Sequence, residues 1–597
     1  MNLFRTPPCF LKLPVLVLVL SLLLTGCWKP ASPGQQEPGD SPPREERAVD
    51  WWLEHLTVEE KVGQLFWFGM PEETLSPEAE QLIREGKAGG FIFFARQGND
   101  PVRLRRLTEA MQALTFEHGR PLPGLVIAVD QEGGLVQRWT YPFTTWPGAM
   151  AIGATGSAAY AEQVAAAIAE ELAAVGINLN LSPVADVNNN PLNPVIGIRS
   201  FGEDPTAVGK LVAAAVRGTQ AQNVSAAAKH FPGHGDTTTD SHRALPIVDH
   251  PWERLNQVEL VPFRSAIASD VDVIMSAHVA FPAVATDGLP ATLSPHVLQK
   301  LLKDQMGFEG VVVTDAIDTM KAITNHWGLE EALVMAINAG ADALLVTESF
   351  GQQEYLYQVV LRAVQEGRIP QARLNDAVRR HLRLKAKRGL LPAEGAEAPP
   401  PIEESAILAA VNNQSHRQLA LQVGMDALTL VRNQHLPLRL ATGDLVLAVA
   451  PSQAERVPDS PEGLTGLGAG LKAHHPTVRE VLVDTVPTAQ QADEVRTLAA
   501  QAAAIVYAAY NPADYPGHRE LIQELIASGK PVIVVGAGEP YDLIALPEIQ
   551  TYIAAYGYQV PNLRGVGALV FGKASPKGKL PVSIPGLYPV GHGLTLP

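Results

Sequence analysis

Residues 310–320 read GVVVTDAIDTM, which indicates a buried strand that ends at an acidic side chain. Three consecutive valines favour a β-strand covered on both faces, as strands of parallel sheets are. Asp315 follows this strand directly. A carboxylate at a buried strand end is costly unless its charge is required, so Asp315 is a candidate functional residue.

Eight apolar runs of this kind are each followed by a segment with helical spacing, which predicts parallel strands with crossover helices. They lie at residues 62–68, 90–94, 125–129, 177–182, 226–231, 271–277, 311–314 and 343–347. Eight such units in about 340 residues suit an α/β fold of the (β/α)8 TIM-type barrel class with insertions. An open doubly wound sheet stays an alternative, because periodicity does not reveal whether a sheet closes.

Two segments rich in Pro, Gly and charge divide the chain. Residues 27–49 predict a flexible tether. Residues 391–405, LPAEGAEAPPPIEES, predict a linker between the barrel at 50–390 and a C-terminal α/β sandwich domain at 406–597. The apolar runs of this second domain lie at residues 427–431, 445–449, 480–483, 505–508, 532–535, 552–555, 568–571 and 581–584.

Residues 1–26 predict a bacterial lipoprotein signal peptide. Arg5 and Lys12 precede the apolar run 13–24, which is shorter than the roughly 20 residues that span a bilayer. Residues 24–27, LTGC, resemble a lipobox, in which the cysteine thiol receives a diacylglycerol. We expect export and anchoring through Cys27 to the extracytoplasmic face of a bacterial membrane; a plain secretory signal is the alternative.

The net charge of −16 argues against nucleic acid as a partner. Binding to phosphates depends on clustered Lys and Arg, and the sequence has no basic stripe.

In a barrel, residues just past the carboxyl ends of the strands face one shared pocket. This rule selects Asp130 after the third run, Lys229 and His230 at the end of the fifth, His278 after the sixth and Asp315 after the seventh.

Asp318 has a different interpretation. We predict that it caps a helix beginning near Thr319, since Asp is a favoured N-cap residue.

The loop after the fifth run, FPGHGDTTTDSH at residues 231–242, carries a carboxylate and an imidazole two positions apart. In an extended segment Asp240 and His242 would lie on one side, where the carboxylate raises the pKa of the ring. Such a histidine is a competent proton donor near neutral pH. The alternative is a solvated polar loop.

The same loop raises the alternative of a metal site. His230, His234, Asp236, Asp240 and His242 are all ordinary zinc ligand types within thirteen residues. Their spacing matches no common ligand pattern, and Lys229 would place a cation beside the ion. We expect no metal ion and no cofactor in the active site, with a metal-dependent hydrolase as an outside alternative.

Five motifs occur in an order that resembles glycoside hydrolase family 3, most closely its β-N-acetylglucosaminidase branch. They are VDQEGGLVQR, INLNLSPVADV, NPVIGIRSFGEDP, KHFPGHGDTTTDSH and GVVVTDAIDTM, at residues 129–138, 177–187, 193–205, 229–242 and 310–320. The resemblance covers nearly all of the mature chain. The combination K-H-F-P-G with G-D-x-x-x-D-S-H is its most specific part.

The resemblance implies that Asp315 is the nucleophile of a covalent glycosyl-enzyme, His242 the acid and base, and Asp240 the residue that orients His242. It also implies that a further set of residues binds the sugar: Asp130, Arg138, Arg199, Lys229, His230 and His278. For Arg138 and Arg199 a structural ion-pair network is the alternative. For His278 the alternative is a hydrogen-bonded rim histidine.

The function implied is a retaining exo-glycosidase, acting as a monomer, that releases terminal β-linked N-acetylglucosamine from cell-wall fragments or related glycans. A β-glucosidase and an N-acetylglucosamine phosphorylase are the nearest alternatives, because phosphate could replace water in the second step. A noncatalytic lipoprotein that binds cell-wall sugars is a further alternative, but binding alone would need neither Asp315 nor His242.

Mass spectrometry of the membrane-extracted protein tests the N-terminal prediction. We expect a mature chain that begins at Cys27 and carries lipid on this residue, because the run ends in Leu-Thr-Gly-Cys. A Cys27→Ser variant should remain unlipidated. An unmodified cysteine, or cleavage at another bond, would contradict the assignment.

Overall fold

A computed structural model of the chain describes residues 44–117, 120–393, 395–458, 460 and 462–596. The predicted signal peptide at 1–26, Cys27 and most of the tether lie outside the described residues. Among the helices that are described, none is both long enough and apolar enough to cross a membrane.

The first half forms a parallel eight-stranded barrel. Its strands are β1 (Phe66–Gly69), β2 (Gly90–Phe93), β3 (Val126–Val129), β4 (Leu179–Asn180), β5 (Ser225–Phe231), β6 (Val273–Ser276), β7 (Val311–Thr314) and β8 (Leu344–Val346). They pair in the order β8-β1-β2-β3-β4-β5-β6-β7. A parallel bridge between Val313 and Ala343 spans the remaining gap. The predicted barrel is confirmed, and the open doubly wound sheet is wrong.

Helices follow or connect the strands. They are α1 (Arg44–His55), α2 (Val58–Gln64), α3 (Pro77–Arg84), α4 (Pro101–Leu114), α5 (Ala149–Thr155), α6 (Ala158–Ala174), α7 (Pro205–Ala221), α8 (Trp252–Gln257), α9 (Val261–Ala268), α10 (Lys321–Trp327), α11 (Leu329–Ala339), α12 (Gln353–Gln365) and α13 (Gln371–Lys387). Residues of the first predicted run divide between two elements, since 62–64 end α2 and the strand begins at Phe66.

Alternation along the strands separates two cores. Trp67, Ile92 and Val313 point into the barrel, whereas Phe66 and Phe93 pack outward under the helices. This period of two is the geometry of a pleated strand, and it fills the barrel with side chains. The buried interior leaves only the carboxyl ends of the strands for a site.

The predicted tether is wrong at its C-terminal end, because residues 44–49 belong to α1. Val49 and Trp52 are buried in the outer core of the barrel. Glu46 pairs with Arg383 of α13 at 2.8 Å. The charge-rich composition of this segment predicted a tether, but the segment begins an amphipathic helix that packs on the barrel.

The second half contains a six-stranded sheet. Its strands are β9 (Thr429–Arg432), β10 (Val446–Pro451), β11 (Val478–Val483), β12 (Ala504–Ala509), β13 (Val532–Gly536) and β14 (Thr551–Ala554). They pair in the order β9-β14-β13-β12-β10-β11, and only the pair of β9 with β14 is antiparallel.

Helices cover both faces of this sheet, so the predicted α/β domain is confirmed. The helices of this half are α14 (Glu404–Ala410), α15 (Gln414–Ala427), α16 (Gly466–Lys472), α17 (Ala489–Gln501), α18 (Pro516–Ala527), α19 (Asp542–Ala545), α20 (Val560–Arg564) and α21 (Val566–Val570), of which α14 packs on the barrel. Leu447 and Val449 of β10 face one core, whereas Val446 and Ala448 face the other.

Two predicted strands of this domain are wrong. Residues 568–571 lie at the end of α21, where Leu569 and Val570 are fully buried. An apolar run buried on all sides has no periodicity that separates helix from strand. Residues 581–584 form no strand; instead the Ser583 hydroxyl donates to Glu203 of the barrel at 2.9 Å.

The linker predicted at 391–405 leads into helices that pack on the barrel. Ile407 of α14 and Val423 of α15 belong to the outer core of the barrel. The boundary itself stays a prediction, because these helices contact the barrel as well as the second domain.

A buried histidine connects α15 to the barrel. His416 Nδ1 lies 2.9 Å from Glu171 of α6, and Nε2 lies 3.3 Å from Glu170. Burial lowers the pKa of His416, but the hydrogen bond and charge of Glu171 outweigh it, so the pKa lies above its ordinary value.

His416→Gln should therefore destabilise the protein in a pH-dependent way. A raised folded-state pKa contributes stability fully below the unfolded-state pKa of about 6.5, and this stability is lost as pH rises through the folded-state value. We expect a loss of about 1.5 kcal/mol at pH 5.5 and a smaller loss at pH 8.5, measured by urea unfolding. His435→Gln, a partly exposed control whose Nε2 contacts Gln550, should cost little at either pH. A loss independent of pH would contradict a charged His416.

Candidate active site

A cavity of about 350 Å³ opens at the carboxyl ends of the barrel strands. Most of the predicted site residues line it, namely Asp130, Arg138, Arg199, Lys229, His230, His242 and Asp315. Their common location follows from the barrel, in which loops after different strands converge on one face. Asp240 and His278 are not part of the lining but contact or approach residues that are.

Asp315 follows β7 and lies at the centre of a positively charged environment. Its Oδ1 accepts a hydrogen bond from Ala316 N at 2.7 Å. Burial raises the pKa of Asp315, but His230, His278 and Lys229 together with the Ala316 amide outweigh it and hold the pKa below its ordinary value. The side chain is therefore an ionised carboxylate at neutral pH, although it is only partly exposed to solvent.

Asp186 orients His230, whose ring lines the cavity. Asp186 Oδ2 lies 2.8 Å from His230 Nδ1, and its Oδ1 accepts from His234 N at 2.6 Å. Asp186 is fully buried. Because Asp186 binds Nδ1, the other ring nitrogen of His230 is left for the cavity.

A buried ion network forms another wall. Lys229 Nζ donates to Asp130 at 2.7 Å and lies 2.7 Å from Glu132. Arg138 pairs with Asp130 at 3.0 Å, and Arg199 binds both oxygens of Glu132 at 2.8 and 3.0 Å.

The charges of this network are fixed near neutral pH. Burial raises the pKa of Glu132, but Arg199 and Lys229 outweigh it and lower the pKa to about 2. Asp130 shifts in the same direction, since Lys229 and Arg138 outweigh its burial. Neither carboxylate can supply a proton near neutral pH. Arg138 Nε has no hydrogen-bond partner among the described residues, so a donor remains available.

The Asp240–His242 pair lies at the exposed side of the cavity. Asp240 Oδ1 accepts from His242 N at 2.9 Å and lies 2.7 Å from His242 Nδ1. Burial raises the pKa of Asp240, but its hydrogen bonds with His242 outweigh this and lower it. The His242 side chain is 56% exposed.

The backbone that brings this pair together differs from the prediction. Residues 241–243 form a turn, in which Arg243 N donates to Asp240 O at 2.9 Å, so the expected extended segment is wrong. Asp side chains favour such turns because they bind the backbone two residues ahead. The pairing survives because one Asp240 oxygen contacts both the amide and the ring of His242.

His278 is buried beside Asp315. Its Nδ1 lies 2.8 Å from the Thr292 hydroxyl, and only 1% of the residue is exposed. Burial lowers the pKa of His278 to about 4, although the Asp315 charge opposes this. His278 is thus neutral near pH 7, and it lies beside Asp315 as a packed, polar but uncharged ring.

Asp318 does not cap a helix, and that prediction is wrong. Helix α10 begins at Lys321 with Met320 at its N-cap. Asp318 instead accepts hydrogen bonds from three consecutive amides after β8, those of Thr347, Glu348 and Ser349, at 2.8 to 2.9 Å. Two of these residues, Thr347 and Glu348, line the cavity.

The structure adds two acids that the sequence analysis missed as site residues, Asp186 and Glu132. Asp186 lies beyond β4, so the rule that selected Asp315 could have found it. Glu132 lies in the short hairpin formed by Gln131–Gly133 and Val136–Gln137, and only its partners across the barrel reveal its role.

Asp318→Ala should destabilise the protein by about 3 kcal/mol, because three backbone amides lose their acceptor. Urea unfolding measures this loss. Asp304→Ala is a matched control, since exposed Asp304 accepts only from Gln299, and it should cost less than about 1 kcal/mol. Equal losses in the two variants would show that Asp318 does not organise the loop after β8.

Comparison with known proteins matches both halves of the chain to one family. Residues 57–384 match the glycosyl hydrolase family 3 N-terminal domain, and residues 428–588 match the C-terminal domain of the same family. The chain is 33% identical to beta-hexosaminidase A of Pseudoalteromonas piscicida, over 86% of this chain and 92% of that protein.

Other relatives agree. A beta-hexosaminidase of Neisseria meningitidis serogroup C is 36% identical over 46% of this chain and 74% of its own length. A solved family 3 beta-N-acetylglucosaminidase from Paenibacillus sp. str. FPU-7 superposes with a TM-score of 0.81 at 38% identity, covering 89% of this chain and 99% of that one. The chain therefore belongs to glycosyl hydrolase family 3, as its motifs, barrel and second domain indicate.

Proposed function

We propose that this chain is a retaining exo-glycosidase that releases terminal β-linked N-acetylglucosamine through a covalent glycosyl-Asp315 intermediate. The observation that carries the proposal is that one cavity is lined both by the ionised, half-buried Asp315 and by the exposed His242, which Asp240 holds. Relatives named beta-hexosaminidase and beta-N-acetylglucosaminidase support this choice of sugar.

Asp315 suits the role of nucleophile because it stays ionised at the wall of the cavity. His230 and Lys229 favour its charged form, while the amide of Ala316 donates to one oxygen. A carboxylate fixed in this way can attack the anomeric carbon once the sugar is bound above it.

His242 suits the role of proton donor because the two acids of the ion network are unsuitable. Asp130 and Glu132 are paired with cations that lower their pKa. Asp240 holds His242 Nδ1, so Nε2 remains to give a proton to the leaving oxygen and later to take one from water. Most glycosidases use a second carboxylate for this step, so a histidine is a departure from the usual pair.

The size and polarity of the cavity support recognition of a single terminal sugar. A volume of about 350 Å³ is at the small end for ligand sites. Lys229 and Arg138 can donate to sugar hydroxyl oxygens, and Asp130 can accept from hydroxyl hydrogens.

We extend the proposal to substrate source and location. Cell-wall fragments outside the cytoplasm are the natural glycan, reached by a monomeric enzyme that Cys27 anchors through lipid to the outer face of a bacterial membrane. The sequence LTGC at residues 24–27 supports this extension.

A panel of nitrophenyl β-sugars, with and without phosphate, tests the activity. We expect fastest release from the N-acetylglucosaminide, with free sugar of retained configuration as product. Preference for the glucoside would overturn the sugar assignment. Formation of a sugar phosphate would replace hydrolysis by phosphorolysis in the same cavity.

Asp315→Asn should lower kcat by at least about 1000-fold with the fold intact, because the amide cannot form the glycosyl ester. Circular dichroism checks the fold. A fluorinated sugar that traps glycosyl-enzymes should add one sugar mass to wild type, and peptide mapping should place it on Asp315. Labelling of another acid would overturn the assignment.

His242→Ala should slow natural disaccharides far more than substrates with acidic phenol leaving groups, since the latter depart without a proton. Asp240→Ala should follow the same trend more mildly, because the imidazole remains but is less well oriented. Turnover measured across leaving groups of graded acidity gives the comparison.

An exposed histidine outside the cavity lining provides the control. His326→Ala should leave the dependence on leaving-group acidity unchanged. If His242→Ala loses the same factor on every substrate, His242 binds sugar or supports structure, and the proton donor is another group.

A further inference from the structure

A second cluster of ionisable side chains lies outside the catalytic cavity, at the base of the loop that carries His242. Asp236, His250 and Glu259 each place one donor atom within 4.8 Å of the other two. His250 Nε2 lies 2.5 Å from Asp236 Oδ2. None of the three lines the cavity.

Glu259 supplies an independent indication of a ligand. Only 3% of the residue is exposed, and its Oε2 has no hydrogen-bond partner among the described residues. A buried carboxylate oxygen without a partner is costly, and a bound cation would remove that cost.

Gly233 lets the loop approach Glu259 closely. Its φ is +142°, and a Cβ added there would lie only 3.0 Å from Glu259 Cβ. The loop therefore packs directly onto the side chain that completes the cluster.

Arg254 is the group that competes with a cation. Its Nη2 lies 3.2 Å from Glu259 Oε1 and 3.8 Å from Asp236 Oδ2. The Arg254 side chain is 35% exposed, so it can turn toward solvent when another positive charge takes its place. No other described Lys or Arg forms an ion pair with these acids.

We propose that Asp236, His250 and Glu259 bind a divalent transition-metal ion of the zinc type, with water completing its coordination. Imidazole nitrogen and carboxylate oxygen are both ordinary zinc ligands, and the imidazole disfavours Ca²⁺ and Mg²⁺, which prefer oxygen donors throughout. This proposal does not depend on the proposed function.

The ion would constrain the loop that carries the Asp240–His242 pair. Asp236 lies before that pair and His250 after it, so a shared ion closes residues 236–250 into a loop. Closing the segment removes conformational freedom from it. The site differs from the metal alternative considered for the loop histidines, since His230 and His242 are bound to Asp186 and Asp240 instead.

Calorimetric titration of the chelator-treated full chain with Zn²⁺ tests the proposal. We expect one saturable site in wild type, at least about tenfold weaker binding in His250→Gln, and tighter binding in Arg254→Gln, because the competing guanidinium is gone. His435→Gln, at a partly exposed histidine of the second domain, is the matched control and should bind as wild type does. Co²⁺ in the same site should give the visible absorption of a tetrahedral ion.

A thermal shift separates loss of the site from loss of the fold. Zn²⁺ should raise the Tm of wild type with increasing concentration and leave the Tm of His250→Gln unchanged. If His250→Gln does not fold, the Arg254→Gln result alone decides, and unchanged affinity there would overturn the proposal. Binding that is lost in His242→Ala but kept in His250→Gln would place the ion in the cavity. Absence of saturable binding in wild type would also overturn it.

Discussion

The active face of the barrel depends on the pairing of the buried Lys229 ammonium with Asp130 and Glu132. A lysine that is 2% exposed must be paired, because an isolated charge in the interior is very unfavourable. Its two carboxylates come from the segment after β3, and Lys229 itself comes from β5. The pairing therefore fixes the relative positions of two loops at the rim.

This network also acts on Asp315, and the segment that carries Arg199 packs against the second domain. Lys229 also helps to keep Asp315 ionised, so the same cation serves structure and proposed chemistry. Arg199 continues the network through Glu132. Arg199 lies two residues after Gly197, whose φ is +45°. A Cβ added at Gly197 would overlap the Glu539 side chain of the second domain.

The second domain acts as a support for the loops of the barrel. Gln559 Nε2 donates to Gly134 O at 2.9 Å, next to the hairpin that carries Glu132. Glu203 binds Ser583 and Thr145 binds Glu455 across the same boundary. By contrast, the described hydrogen bonds of the Asp240–His242 turn stay within the barrel, and its histidine is exposed. A rigid cavity wall and a less constrained proton donor are what a site needs if the donor must approach after the sugar binds.

The sequence by itself determined the eight strand and helix units of the first half and the position of Asp315, because each is encoded locally in an apolar run and the residue that follows it. Closure of the sheet into a barrel came only from the tertiary structure, since periodicity does not show which strands pair at the ends. It also determined the Asp240–His242 pair, since two residues so close in the chain can meet in either a turn or a strand. Only the tertiary structure decided the rest. Residues 568–571 and 44–49 became helices because of the surfaces that bury them, which composition does not specify. Asp318 accepts hydrogen bonds from amides about 30 residues away in the sequence. The partners of Asp186, Glu132 and Glu259 also became known only from the folded chain. A charged side chain is placed by whichever partner offsets the loss of its hydration, and that partner is known only once the chain has folded.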